Sequence, residues 1–263
     1  MAVLLASLLV ISCSSRSQSI ILATTTSTQD SGLLEELVPI FQNETGIQVK
    51  TIAVGTGQAL EMGRRGDADI LLVHAPGQEE EFMTEGHGAL RQSFMYNDYV
   101  ILGPKDDPAE IAESPSIPVV MQQITSSENL FLSRGDNSGT HFRERKLWAD
   151  AGIHPQGAWY QETGQGMGQT LIVASEKLAY TLCDRSTYLA MQDKIDLVIL
   201  FENDQVLHNI YSIITIDPGK STSVNNPGAE AFYEFMLSKS AKEIIERFGI
   251  DRYGQPLFHL LNS

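Results

Sequence analysis

Three times in its first 85 residues the chain passes from an apolar run through a hydroxyl-rich, glycine-rich or histidine-containing corner into a helical pattern. Ser19 to Ala23 ends in Thr24-Thr25-Thr26-Ser27, after which Leu33, Leu34, Leu37, Ile40 and Phe41 recur at helical spacing until Gly46. Pro39 lies inside that pattern and predicts a kink. Ile47 to Val54 ends in Gly55-Thr56-Gly57 and a helix carrying Leu60 and Met62. Asp69 to Val73 ends in His74-Ala75-Pro76 and an acidic helix with Glu79, Glu80 and Glu81. Repeated strand-helix units imply a mainly parallel sheet with right-handed crossovers. In open α/β sheets ligands bind beyond the carboxyl ends of the strands, which makes Thr25, Thr26, Ser27 and Thr56 candidates. A TTTS run also suits a solvated loop, but its place between strand and helix favours a site. His74 is expected to be satisfied by the backbone of its loop.

A further segment, Phe131 to Phe142, reads FLSRGDNSGTHF and opens a helix with Phe142, Leu147 and Trp148. The first-turn N–H groups of a helix lack internal partners and sit at its positive end, so Ser138, Gly139 and Thr140 can receive an oxyanion. Arg134 adds a full charge and a planar fork of donors. Taken alone, the segment equally fits an ordinary N-cap with Arg134 paired to a surface acid. The similar corners near the N-terminus shift the balance toward anion binding. Thr163 to Thr170 is glycine-rich and opens another helix, either as a further donor loop or as a tight turn.

A formal net charge of -15 makes nucleic acid and anionic membrane surfaces poor partners, so an anion must be held by local donors. Six histidines are scattered and no metal-ligand spacing occurs, so no metal site or cofactor is expected. Met1 to Ser12 has no charged residue and its apolar core is sized for a signal peptide; Val10-Ile11-Ser12-Cys13 resembles a lipoprotein processing site, with ordinary peptidase cleavage as the alternative. Residues 1–18 are therefore read as leader and tether, with Cys13 the lipid-bearing position.

The remainder divides into a discontinuous lobe, 19–100 with 213–263, and a middle lobe, 101–212. Pro104 to Pro118 is taken as the first crossing and His208 to Ile216, a long alternating strand, as the return. Two helices, Gly228 to Leu237 and Ala241 to Phe248, are expected to cover the first lobe. Donor segments on both lobes suit a cleft that closes on a small oxyanion.

The blocks ATTTSTQDSGLL, VGTGQALEMGRRGDADILLVHAP, SRGDNSGTH and GQGMGQTL resemble the tungstate-binding proteins of bacterial ABC importers over most of the chain beyond the leader. SRGDNSGT by itself is shared with phosphate-binding proteins of the same fold; the TTTS run and the GTGQAL block favour the tungstate type. The resemblance implies an α/β two-lobe fold of the second periplasmic-binding-protein type, each lobe a mainly parallel sheet flanked by helices, with a two-segment hinge. It implies a carrier outside the cytoplasm that delivers tungstate to a permease and its ATPase; molybdate is the expected second ligand, no enzymatic activity is expected, and a monomer suits a carrier that must present both lobes to a permease. Carried over to this sequence, it implies an oxyanion site of Thr25, Thr26, Ser27, Thr56, Arg134, Ser138 and Thr140, to which the helix-opening argument adds Gly139.

Asp136 bears on selectivity. Turned away from the cleft it leaves a site suited to unprotonated dianions; turned inward it would accept the proton that phosphate retains near neutral pH. Phosphate or sulfate binding is the alternative within this fold. A hydrolase with Ser27 or Thr25 as nucleophile and His74 or His141 as base is the rival from another class, disfavoured because no GxSxG elbow or orienting acid is recognisable.

Overall fold

The computed structural model describes residues 19–261; the leader and Cys13 lie outside them. In chain order the elements are β1 Ser19–Thr25, α1 Thr26–Asp30, α2 Leu33–Thr45, β2 Gln48–Val54, α3 Thr56–Arg65, β3 Ile70–Val73 and α4 Pro76–Thr84. There follow β4 Gly88–Pro104, α5 Ile117–Ser127, β5 Phe131–Ser133, α6 Gly139–Asp150, β6 Tyr160–Glu162, α7 Met167–Lys177 and β7 Thr181–Asp184. The chain continues through α8 Arg185–Met191, β8 Leu197–Phe201, β9 His208–Ile216, α9 Asn226–Leu237, α10 Lys239–Arg247, α11 Ile250–Tyr253 and β10 His259–Leu260.

The first sheet runs β10-β4-β9-β3-β1-β2. Its expected parallel part is present: β1 pairs in parallel with both β2 and β3. The long strands are antiparallel, β9 against β3 and against the first part of β4. Alternation then builds a core on each face. Ile20, Leu22, Ile70, Leu72 and Ile213 point to one face, packed under α2, α9 and α10. Ala23, Leu71, Val73, Ile214 and Ile216 point to the other, under α3 and α4.

β4 belongs to both lobes. Gly88 to Asp98 pairs with β9, whereas Tyr99 to Pro104 pairs with β7 and β8. In the second lobe Tyr99, Ile101, Tyr180 and Leu182 pack on one face and Val100, Leu102, Cys183 and Leu197 on the other. β5 lies parallel to β6 and touches the start of β7 through a Phe131–Tyr180 bridge.

Two features differ from the sequence expectation. β4 begins at Gly88, well ahead of its apolar stretch Tyr99 to Leu102, and its first half, GALRQSF, gives no strand signal in the sequence because it is largely polar and part-exposed and shows no apolar alternation. Pro104 to Pro118 is not a crossing: Ala109, Ile111 and Ile117 are buried in the second lobe, and the Ala109 N–H donates to the Tyr180 hydroxyl at 2.9 Å. Pro118 instead sits in the first turn of α5, where a missing N–H costs nothing, and Val120, Met121 and Ile124 are the buried stripe of that helix. Gly46 ends α2 at φ 74° as the sequence predicts, and Pro39 lies within α2.

Candidate functional site

The carboxyl ends of β1, β2 and β3 meet along one edge of the first lobe. Thr25 pairs with Val54 and Thr24 with Leu72, so the corners at Thr26, Gly55 and His74 follow on neighbouring strands. Thr25 caps α1 with extended backbone, and its Oγ1 accepts the Thr28 N–H at 3.2 Å. The same oxygen lies 2.6 Å from Thr28 Oγ1, 3.1 Å from Ser27 Oγ and 3.0 Å from His74 Nε2. Ser27 Oγ is 3.2 Å from that nitrogen. Thr25 is buried, while Thr26 and Ser27 are exposed. Thr56 is half-buried as the first residue of α3, behind a Gly55 cap that supplies no side chain.

On the second lobe, Ser138 caps α6, its Oγ accepting the His141 N–H at 3.3 Å. Gly139 and Thr140 then form the first turn, whose N–H groups have no helical carbonyl to bond. The loop before them turns through Gly135 at φ 62° and Asn137 at φ 58°. Only glycine fits at 135, since a Cβ there would stand 2.6 Å from the Glu162 Cβ. Thr163 Oγ1 lies 3.2 Å from the Ser133 carbonyl, 3.4 Å from the Arg134 carbonyl and 2.8 Å from Thr170 Oγ1. The glycine-rich Thr163 to Thr170 segment thus braces the backbone of the Arg134 loop.

Arg134 places Nη2 2.5 Å from Asp136 Oδ2 and Nη1 3.5 Å from Thr140 Oγ1, and its buried Nε has no acceptor. The Thr140 contact is at the limit of a hydrogen bond, so this guanidinium has donor capacity in reserve. Asp136 is committed on both sides, since Oδ1 accepts the Ser138 N–H at 3.1 Å. Partial burial raises its pKa, but the Ser138 hydrogen bonds and the Arg134 charge outweigh that and hold the carboxyl below its ordinary value.

The two sets of donors face each other. A Cβ at Gly139 would stand 3.6 Å from His74 Cε1, in ordinary contact across the lobes. One turn further along α6, Arg143 donates to the His208 carbonyl at the start of β9 and lies 5.8 Å from the centre of the Tyr99 ring. His74 departs from the expectation that its loop backbone would satisfy it: its ring nitrogens meet the side chains of Thr25, Ser27 and Asn209. Asn209 carries no sequence signal, being one residue of an alternating strand. Two surface cavities of about 430 and 440 Å³ lie elsewhere, beside Glu162 and Gln169 and beside Leu34 and Thr51. Neither is lined by Ser27, His74 or Arg134, so the convergence of donors marks the candidate site better than cavity size does.

Two α/β lobes joined by long crossing strands, with donor corners facing one another, define a two-lobe binding protein. Comparison with known proteins narrows the class: residues 12–240 match the PBP superfamily domain. The tungstate-binding protein TupA of Peptoclostridium acidaminophilum is 48% identical over 242 residues, covering 91% of this chain and 85% of that protein. The solved tungstate-binding protein TupA of Desulfovibrio alaskensis G20 is 42% identical with a TM-score of 0.86, covering 93% of this chain and 99% of that one. The solved structure of the tungstate ABC transporter from Geobacter sulfurreducens is 45% identical with a TM-score of 0.75, covering 86% of this chain and 97% of that one. The chain belongs to the PBP superfamily and, within it, to the family of these tungstate-binding proteins. Those relatives are binding proteins of transport systems rather than enzymes.

Proposed function

We propose that this chain captures tungstate, with molybdate as a second ligand, between its lobes and delivers it to the permease and ATPase of an ABC importer. The oxyanion is held by Thr25, Thr26, Ser27 and Thr56 from the first lobe and by Arg134, Ser138, Gly139 and Thr140 from the second. The observation that carries this reading is the pairing of Arg134 with Asp136. With one carboxylate oxygen on the guanidinium and the other on the Ser138 N–H, Asp136 is not free to accept a proton from a ligand. A site of donors without a spare carboxylate favours a fully ionised dianion over hydrogen phosphate.

The relatives support an extracytoplasmic carrier, and no helix among the described residues is long and apolar enough to cross a membrane. Attachment is assigned to a lipid on Cys13, and the working form to a monomer. The lobes are taken as 19–100 with 213–263 and 101–212; the register of β4 and β9 supports placing the hinge near Asp98–Tyr99 and His208. Ser27, His74 and Asn209 do line up in the order of a nucleophile, a base and its orienting group. Burial, however, pushes the His74 pKa down to about 4 against the raising effect of Asn209, which makes the ring a weak base, and Asn209 brings no negative charge to stabilise an imidazolium.

Calorimetric titration of the ligand-stripped protein with tungstate, molybdate, sulfate and phosphate tests the function. One-to-one binding of tungstate with phosphate silent is the expected result. Phosphate binding with tungstate silent would replace the reading by a phosphate carrier.

A further inference from the structure

The imidazole at the end of β3 has both nitrogens engaged. Its Nδ1 lies 2.9 Å from Asn209 Oδ1. The Asn209 amide is oriented by its other partners: Nδ2 donates to Asn97 Oδ1 at 2.9 Å and to the Tyr211 hydroxyl at 3.3 Å, and Asn97 Nδ2 donates to that hydroxyl at 3.2 Å. Asn209 Oδ1 must therefore accept, and Nδ1 of His74 carries the proton. In the neutral ring Nε2 is then a bare acceptor, facing Thr25 Oγ1 at 3.0 Å and Ser27 Oγ at 3.2 Å.

One lone pair takes one hydroxyl proton and leaves the other free. Thr25 is buried and its oxygen already receives the Thr28 N–H, whereas Ser27 is exposed. The consistent arrangement has Thr25 donating to Nε2 and the Ser27 hydroxyl free to turn toward a ligand. The other groups around the ring are the Tyr211 ring on β9, 4.7 Å away between centroids, Asp184 at the cap of α8 and Arg143 on α6. Asp184 and Arg143 act on the ring with opposite signs, and burial is the larger effect, so the ring is neutral near pH 7. Its Cε1 edge meets the first residue of α6.

Building on the oxyanion reading of the site and refining the place of Thr25 within it, we propose that His74 is its positioning residue, held by Asn209 as the Nδ1–H tautomer so that Nε2 takes the Thr25 hydroxyl proton and leaves the Ser27 hydroxyl as the one that donates to the ligand opposite the N-terminus of α6. The ring then sets which hydroxyl proton points at the ligand and ties that choice, through Asn209 and its β4 neighbour Asn97, to the two strands that cross between lobes.

The experiment uses the full chain. His74→Ala should weaken tungstate binding by about 10- to 100-fold, the cost of leaving a buried polar network unpaired. His74→Gln, whose amide can again bridge Asn209 and the hydroxyls, should recover most of that loss. Nitrogen-15 NMR of histidine-labelled, unsubstituted protein, with the His74 signal assigned by its absence from His74→Gln, should show a neutral ring protonated at Nδ1. Unaltered affinity in His74→Ala, affinity in His74→Gln as weak as in His74→Ala, or a ring protonated at Nε2 each overturns the proposal, and the last needs no alanine variant to fold. Failure of the unsubstituted chain to bind any oxyanion overturns the reading of the site instead.

Discussion

Arg185 clasps Asp98 at the point where β4 leaves one lobe for the other. Its Nε lies 2.8 Å from Asp98 Oδ1 and its Nη2 2.6 Å from Oδ2, and the same Nη2 reaches Glu202 Oε2 at 2.6 Å. Asp98 is the last β4 residue paired with β9, and both members of the pair are buried. Arg185→Met should leave Asp98 buried without its cation and cost about 3–5 kcal/mol of stability. Denaturant unfolding checks this; a change below 1 kcal/mol would mean that water reaches the pair and replaces the guanidinium (about 1 kcal/mol being the range of an exposed pair).

Arg134→Ala should weaken tungstate binding by about 2–5 kcal/mol, because it removes a charged partner from a closed site. Thr140→Val, isosteric and buried, should weaken binding too while leaving the unfolding midpoint nearly unchanged. Titration of both variants separates the roles. Unaltered binding in Thr140→Val would confine that hydroxyl to its contacts with Arg134 and the Tyr99 side chain.

Gly135→Ala should disturb the Arg134 loop. At φ 62° the new Cβ meets the Glu162 side chain at 2.6 Å, and strain of this kind costs on the order of 1–3 kcal/mol. Lower stability together with weaker tungstate binding is the expected pair of results. Full affinity at reduced stability would show that the loop relaxes without moving Arg134.

Glu144, buried on α6, accepts from Trp148 Nε1 at 3.1 Å and from the Tyr160 hydroxyl at 2.8 Å. Burial raises its pKa from 4.5 to about 7, against hydrogen bonds that lower it and with Glu162 adding to the rise. The unfolded chain binds fewer protons there than the folded one between those values, so this residue's contribution to stability falls as pH rises from 4.5 through about 7. Glu144→Gln should therefore gain about 2.5 kcal/mol relative to the unsubstituted protein between pH 5 and pH 8. Equal differences in unfolding free energy at the two pH values would show that Glu144 titrates normally.

Much of the architecture is legible residue by residue. The apolar runs at β1 and β3 and the alternating β9, the Gly46 cap and the helix opening at Ser138 follow from local periodicity and capping chemistry. The resemblance carried by TTTS and SRGDNSGT supplied the two-lobe fold and proposed the ligand contacts. The first half of β4 is not legible, because a largely polar, part-exposed strand paired with β9 alone over Gly88 to Ser93 has no apolar alternation to show. Nor is the burial of Ala109, Ile111 and Ile117, whose proline-rich surroundings read as a boundary.

The sequence by itself determined which corners can donate hydrogen bonds, since hydroxyls, glycines and helix starts are local properties. Only the tertiary structure decided which of them meet. The His74–Asn209 contact joins residues 135 positions apart, and Asp136 turns to Arg134 and the Ser138 N–H. Side-chain direction of that kind depends on which strands pair in the folded sheet and on the course of the loop through Gly135 and Asn137, and neither composition nor spacing encodes it locally.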